Sequence, residues 1–419
     1  MSAAGKPESS ASGTVALSLG LVVRGALQAA LFVVLARILG PAELGLFTAV
    51  LSVMSILCHF TGLGTGILLV RDISVDPAAY GRVLGRSVLL TAVTALPVAA
   101  LGGVIAFVLL PPGTGSVLIV CVALAEAAVT PFVDLAGRAC QSTKSFRLMA
   151  GATIAPIAAR LVFLCGLGVT AGEANAAQWS VAYLFASVVA CAVIWWLTLA
   201  RLGRPTPAWA GAPAAIREGL HVAISNVAIR ANADADKAIL ARFASAHDVG
   251  LYAVAQRFVE LAIIPILAAL ESSLPGLFRS GHAGIGSALR AAVLAGRVPL
   301  AYACVASIVL FAGAPVLEWI LGEPYRPAVD VLRWLSILPP ILCARYFLRG
   351  ILLSASRVRL SGAIESGGAV AAIASNAAGI PLFGWQTAIV VKIAVEAGML
   401  GCALLAVARG IRRDAGTAS

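Results

Sequence analysis

The chain has 419 residues, of which 60% are hydrophobic and 12% charged, and its net charge is +11. Soluble globular proteins have roughly 25% charged and 45–50% apolar residues. A soluble domain of this length would leave much of its apolar surface in water. The composition therefore excludes a soluble enzyme, a disordered chain and a disulfide scaffold, and it predicts a protein that crosses a membrane many times.

Long apolar stretches follow one another along the whole chain. A helix needs about 20 mostly apolar residues to cross the hydrocarbon core of a bilayer. The apolar run at 181–197 is continuous, whereas strands of a transmembrane barrel alternate in hydrophobicity. We predict an all-α fold with about twelve membrane-spanning helices. The predicted spans are 14–39, 42–69, 83–110, 115–137, 146–170, 177–200, 216–243, 247–275, 286–313, 327–354, 360–383 and 385–409.

Lysines and arginines are distributed unequally between the two sides of this topology. Nineteen of them lie in or near the terminal segments and the loops after even-numbered spans, whereas four lie in or near the opposite loops. Because cytoplasmic loops are enriched in Lys and Arg, both termini are expected in the cytoplasm. Residues 1–13 show no convincing cleavage site, and Arg24 interrupts the first apolar run. A removed signal peptide is therefore not expected.

A short motif occurs twice at an offset of 205 residues. The copies read ARILGPAELGLF at 36–47 and ARFASAHDVGLY at 241–252. Each copy joins an odd-numbered span to the next, and six spans separate the copies, so the two halves have the same orientation in the membrane. We predict two six-helix lobes, 1–200 and 216–419, joined by a cytoplasmic linker at 201–215.

Charged residues fall inside the predicted spans, although each costs roughly 2.5–3.5 kcal/mol at the bilayer centre. We expect them to face a lobe interior or a water-filled cavity, where such groups are functional candidates. The alternative is that they pair with one another and only stabilise the bundle. Several share helix faces, such as Asn226 and Arg230 at a spacing of four. The candidate cavity residues are Arg24, Gln28, Arg160, Asn226, Arg230, Lys237, Arg257 and Lys392.

Several classes of function lack their motifs. The eight cysteines are isolated and have no metal-ligand spacing, so neither a metal site nor a cofactor is predicted. There is no nucleotide-binding GxxxxGK[ST] loop, and the basic residues form no dense patch that would indicate nucleic acid. Because no catalytic set can be proposed on an aqueous surface, we do not expect an enzyme. A membrane enzyme acting on lipid-linked glycans stays as an alternative.

Several short segments carry a resemblance to a known family. The first motif copy is followed by Gly62-Leu-Gly64 and Arg71, and the second half contains Asp236-Lys237, VGLYAVAQR at 249–257 and ILGEPYRPA at 320–328. These residues resemble the oligosaccharide/polysaccharide flippase family, the polysaccharide transporter branch of the multidrug/oligosaccharidyl-lipid/polysaccharide flippase superfamily. The resemblance covers nearly the whole chain, but its motifs lie in loops and turns and do not identify the substrate.

The resemblance implies two pseudo-symmetric six-helix lobes around a central cavity. It also implies alternating access that moves undecaprenyl-pyrophosphate-linked oligosaccharide from the cytoplasmic to the outer leaflet of the bacterial inner membrane. The products of such pathways are surface polysaccharides: exopolysaccharide, the O-antigen of lipopolysaccharide, and capsule. Expected partners are the lipid-linked oligosaccharide, membrane lipids, a polysaccharide polymerase and glycosyltransferases.

The resemblance further implies roles for the charged residues inside the spans. Arg24, Arg230 and Arg257 would meet the pyrophosphate or acidic sugars. Coupling to H⁺ or Na⁺ would use the acids Glu126, Asp234, Asp236 and Glu396. The alternative within the superfamily is a multidrug/cation antiporter, whose cavity should be net acidic. The seven basic and five acidic residues deep in the spans argue against that alternative.

Overall fold

The computed structural model describes residues 10–111, 113–171, 174–281, 284–355 and 357–416. Within these ranges the chain forms helices joined by short turns, and none of the described residues lies in a strand. The prediction of an all-α protein is confirmed. The chain divides into two compact units, of which the first ends at Arg230 and the second begins at Ala231. This boundary lies inside a helix, and the predicted lobe limits at 200 and 216 stay a prediction.

The first unit contains seven helices and the beginning of an eighth. They are α1 (Ser10–Leu57), α2 (Thr65–Val75), α3 (Tyr80–Leu109), α4 (Ser116–Ala123), α5 (Thr130–Ser142), α6 (Phe146–Ala171), α7 (Ala176–Leu202) and α8 (Ala212–Phe243). Helix α1 is bent at Gly40, which has a φ of 68°. Glycine adopts such a positive φ at little energetic cost. Pro41 follows, and its fixed φ suits the first turn of a helix. The bend separates the predicted spans 14–39 and 42–69.

A π-helical turn, Leu124–Val129, connects α4 and α5 into one continuous helix. Pro131 has no N–H group, so the carbonyl of Ala127 loses the donor that a regular helix would supply. The hydroxyl of Thr61 donates a hydrogen bond to this carbonyl at 3.0 Å. Single π-helical turns are frequent at functional sites, and this one carries Glu126.

The beginning of α8 packs closely on the first unit. A Cβ atom at Gly219 would lie 2.1 Å from the carbonyl oxygen of Leu63, so a larger residue would push the two segments apart. Upstream, the amide of Thr206 donates to the carbonyl of Gly81 at 2.9 Å. The predicted linker 201–215 is therefore attached to α3, and α8 starts against the turn after α1.

The second unit contains the rest of α8 and seven more helices. They are α9 (Ala246–Gly281), α10 (Ile285–Gly313), α11 (Val316–Leu321), α12 (Ala328–Leu335), α13 (Leu338–Ser354), α14 (Val358–Phe383) and α15 (Thr387–Gly416). Ile266, Ala288, Cys343, Phe347 and Ala403 belong to one buried core in which α9, α10, α13 and α15 meet. The apolar core thus joins these four helices. Some of them carry charged side chains elsewhere along their length.

Ten helical segments within the described ranges are long and apolar enough to cross a membrane. The first, Val23–Val75, contains two of the predicted spans, because the chain stays helical through the bend at Gly40. Helix α8, predicted as the span 216–243, is not among the ten, because its charged residues interrupt the apolar sequence. The protein is a multi-pass membrane protein.

Candidate functional site

The first unit buries an ion pair between the π-helical turn and α6. The Nη2 atom of Arg160 lies 3.3 Å from Oε1 of Glu126, and the Tyr183 hydroxyl donates to the same oxygen at 2.5 Å. Arg160 also donates to the Ser187 hydroxyl at 3.1 Å. The Arg160 guanidinium lies 3.9 Å from the centre of the Tyr183 ring, a cation–π contact. We call Glu126, Arg160, Tyr183 and Ser187 the Glu126 cluster.

Two aromatic side chains, Phe47 and Trp179, hold the tyrosine of this cluster in place. The rings of Phe47 and Tyr183 meet edge to face with centroids 5.3 Å apart, and Trp179 contacts both rings in the same manner. Such contacts are favoured by the charge distribution of aromatic rings. All three side chains are buried. The Tyr183 hydroxyl is therefore fixed towards Glu126.

The second unit holds a denser charged group around Asp236 of α8. The Tyr252 hydroxyl donates to Oδ2 of Asp236 at 2.8 Å, and Nζ of Lys392 lies 3.3 Å from the same oxygen. The Lys392 ammonium also donates to the carbonyls of Asn232 and Ala233, at 2.9 and 3.4 Å. An ammonium has three N–H donors, and the Lys392 ammonium faces these three oxygen atoms of α8.

A chain of ion pairs extends from this point along α8 and α9. Nζ of Lys237 lies 2.7 Å from Oδ1 of Asp234 and 3.8 Å from Oε1 of Glu260. Nη1 of Arg257 lies 2.8 Å from the other oxygen of Glu260. The group contains three acids and three bases, so it is formally neutral. We call it the Asp236 cluster: Asp234, Asp236, Lys237, Tyr252, Arg257, Glu260 and Lys392.

A third group connects α13 to α14 and α15. Nη1 of Arg345 lies 2.8 Å from Oε1 of Glu365, and its Nε lies 2.8 Å from Oε2 of Glu396. Nε of Arg349 is 3.9 Å from Glu365, so two bases face two acids. Arg345, Glu365 and Glu396 are buried. We call these four residues the Arg345 cluster.

The three clusters contain eight of the twelve candidate residues that were predicted from the sequence. These eight are Glu126, Arg160, Asp234, Asp236, Lys237, Arg257, Lys392 and Glu396. The other four lie outside the clusters: Arg24 and Arg230 are exposed, and Gln28 and Asn226 are half-buried. Arg24 interacts electrostatically with the carboxylate of Asp134.

Sequence reasoning missed several members of the clusters. It did not select Glu365 as a candidate site residue, although Glu365 is buried against Arg345. It also did not identify the tyrosine hydroxyls. One available signal was the repeat, in which Phe47 of the first copy is replaced by Tyr252, the donor to Asp236. Among the described residues, no three His, Cys, Asp or Glu side chains are grouped to hold a metal ion.

Comparison with known families gives the identity at the family level. Residues 10–280 match the family described as polysaccharide biosynthesis protein, and this range is more than half of the chain. The chain belongs to this family. Among proteins with a curated function, no sequence match is found.

Solved structures show the fold of this polysaccharide biosynthesis family member. It is similar to an inward-facing multidrug resistance MATE family transporter of the MOP superfamily, with a TM-score of 0.74 and 15% identity over 94% of this chain and 98% of that one. It is also similar to the lipid II flippase MurJ in an inward closed conformation, with a TM-score of 0.76 and 10% identity over 95% and 87%. A MOP superfamily transporter from Pyrococcus furiosus gives 0.69 and 15% identity over 97% and 96%.

These identities are low, so the structural matches establish the MOP fold alone. The family match adds the biosynthetic context. The protein is thus a member of the polysaccharide biosynthesis family with a fold that these transporters share. The charge clusters described above lie within this fold.

Replacing Arg345 with methionine tests the role of the Arg345 cluster in stability. The change leaves two buried carboxylates without this cation, and breaking a buried pair costs about 3–5 kcal/mol. We expect R345M to lower the midpoint of thermal unfolding in detergent sharply. The exposed Arg326→Met is the matched control and should leave the midpoint unchanged.

The triple variant R345M/E365Q/E396Q separates lost charge balance from lost packing. Removing the acids together with the base should restore most of the thermal midpoint, because replacing a whole buried ion pair is often neutral. An R345M protein as stable as the wild type would show that the cluster contributes nothing to the fold.

Proposed function

We propose that this transporter is a flippase for undecaprenyl-pyrophosphate-linked oligosaccharide. It moves the substrate from the cytoplasmic to the outer leaflet of the bacterial inner membrane by alternating access, for surface polysaccharide synthesis. The observation that carries this proposal is the match of residues 10–280 to the polysaccharide biosynthesis family in a multi-pass membrane protein. The fold similarity to a lipid II flippase is compatible with a lipid-linked substrate. Both termini are cytoplasmic in this proposal, as the distribution of Lys and Arg favours.

Arg24 and Arg230 are the candidates for binding the pyrophosphate. Both side chains are exposed, although an arginine in a membrane helix is costly unless it faces water or a partner. A guanidinium binds phosphate oxygens in a bidentate manner. Arg257 is half-buried and paired with Glu260 at 2.8 Å, so its charge is already neutralised. The proposal therefore assigns Arg257 to the Asp236 cluster and assigns the headgroup to Arg24 and Arg230 because their side chains are exposed.

Two amide side chains accompany these arginines. Gln28 lies four residues after Arg24 on α1, and Asn226 lies four residues before Arg230 on α8. Residues four apart share a helix face, and both amides are half-buried. An amide offers donors and acceptors, which suits the hydroxyl groups of a glycan. We assign these two residues to contacts with the sugar.

The double variant R24A/R230A tests the headgroup contacts. Hydrogen bonds to charged groups contribute about 1.5–3 kcal/mol each. Losing both should therefore reduce polysaccharide export at least about tenfold in a host that lacks its own copy, while the amount of protein in the membrane stays the same. The measurement is surface polysaccharide per cell, normalised to the protein level by immunoblot.

The variant K144A/R217A is the matched control for charge. Lys144 and Arg217 are exposed, so the same two positive charges are removed outside the candidate site and export should be normal. Full export in R24A/R230A would refute the headgroup assignment. If expression instead changed resistance to cationic compounds and export did not depend on the protein, the antiporter alternative would replace the flippase.

Cation coupling is assigned in this proposal to Asp236. Each of the four predicted coupling acids already lies near a protein cation, so a transported H⁺ or Na⁺ must displace that partner. Glu126 and Glu396 face arginines, whose planar guanidinium groups hold a fixed geometry. Asp234 and Asp236 face lysines, at 2.7 Å from Lys237 and 3.3 Å from Lys392, and a lysine is a point charge on a flexible chain. Because the contact of Asp236 is the longer one, the proposal places the exchange of cations there.

The variant D236N tests this assignment in proteoliposomes. An imposed gradient of H⁺ or Na⁺ should accelerate transport of labelled lipid-linked oligosaccharide by the wild type and should have no effect on D236N. Because D236N leaves the Lys392 ammonium without its carboxylate, the double variant D236N/K392M provides a second, charge-neutral measurement. The exposed Asp330→Asn is the control. Acceleration of both Asp236 variants by the gradient would disprove the role of Asp236.

A further inference from the structure

A groove runs between α14 and α15 in the second unit. Its volume is about 840 Å³. Apart from two arginines, its walls consist of apolar side chains and glycines, among them Leu360, Gly367, Gly398, Cys402 and Leu405. Both helices are among the segments apolar enough to span a membrane. We call this feature the α14/α15 groove.

The groove has the length of one leaflet of a bilayer. It extends from Arg357 to Ala371 along α14 and from Ala394 to Arg409 along α15. At 1.5 Å per residue this is about 21 Å, whereas half of a hydrocarbon core is about 15 Å. The groove is therefore long enough for an acyl chain and for the headgroup region next to it.

Both arginines of the groove lie at the same end. Arg357 lies beside Gly410, the residue that follows Arg409, because a Cβ atom at Gly410 would be 3.2 Å from Nη1 of Arg357. Neither guanidinium has an ion-pair partner among the described residues. This differs from the three charge clusters, in which acids balance the bases. Two adjacent cations without an acid form a site for an anion.

We propose that the α14/α15 groove binds an anionic phospholipid. The phosphate lies between Arg357 and Arg409, and the acyl chains lie along the glycines and apolar side chains towards Ala371 and Ala394. The arginines require a negative headgroup, and the leaflet-sized groove matches acyl chains. An undecaprenyl chain is much longer than an acyl chain and would extend beyond the end of the groove. This site does not depend on the transported substrate, because lipid binding is measured without transport.

Photocrosslinking in nanodiscs tests the headgroup contacts. The probe is phosphatidylglycerol with a diazirine on its acyl chain, diluted into phosphatidylcholine, and crosslinked residues are located by mass spectrometry. We expect crosslinks to concentrate on the groove residues of α14 and α15. Since a basic residue near an anionic headgroup contributes about 1 kcal/mol, R357Q/R409Q should lower the yield about fivefold for each arginine. The control R359Q/R412Q removes two exposed arginines outside the groove and should retain the yield.

A second set of variants tests the acyl-chain contacts. A Cβ atom at Gly367 or Gly398 would meet nothing within 4 Å, so G367L and G398L extend into the groove without disturbing the packing. Both should reduce crosslinking to the groove. Gly362 is equally open but lies outside the groove, so G362L should behave as the wild type.

Four results would overturn the proposal. The first is an unchanged yield in R357Q/R409Q and G398L, and the second is an equal yield with diazirine-labelled phosphatidylcholine. The third is displacement of the probe by an equimolar amount of undecaprenyl phosphate, which would identify a polyprenyl site. The fourth is a crosslink between two copies of the chain across the groove, which would identify a dimer interface.

Discussion

A charge inside a membrane protein needs an opposite charge beside it, and this requirement organises both units. Removing an ion from water costs several kcal/mol, which only close, well-oriented partners offset. Glu126 faces Arg160, two bases face Glu365 and Glu396, and the Asp236 cluster has three acids and three bases. Each group is formally neutral. The excess positive charge of the chain therefore belongs to residues outside these clusters.

Charge balance also determines which helices meet in each unit. Lys392 connects α15 to the carbonyls of α8, and Arg345 connects α13 to both α14 and α15. In the first unit, the π-helical turn and its proline place Glu126 where Tyr183 and Arg160 converge. The arginines that we propose as ligand contacts lie outside these three clusters. Arg24 and Arg230 are proposed for an anionic headgroup, and Arg357 and Arg409 for an anionic phospholipid.

Much of the fold was predictable, because apolar runs and breakers act locally. The Gly40-Pro41 pair lies where the predicted spans 14–39 and 42–69 separate. Partners between helices were not predictable. Lys392 and Glu396 are spaced to pair on one helix, yet they face Asp236 and Arg345, since the spacing says nothing about the neighbouring helix. Glu365 was not selected for the same reason. Hydropathy alone does not find α8, because charged residues such as Asp234, Asp236 and Lys237 interrupt its apolar sequence.

In the proposed function, the protein itself moves a lipid-linked oligosaccharide across a membrane. The most direct measurement uses purified protein in proteoliposomes containing fluorescent undecaprenyl-pyrophosphate oligosaccharide in both leaflets. A membrane-impermeant quencher in the outer solution then reports how much label reaches the outer leaflet with time. If the protein is a flippase, quenching should proceed to nearly all of the label in vesicles with protein and stop at the outer-leaflet fraction in vesicles without it. Equal quenching in the two preparations, with correctly folded protein, would contradict flippase activity.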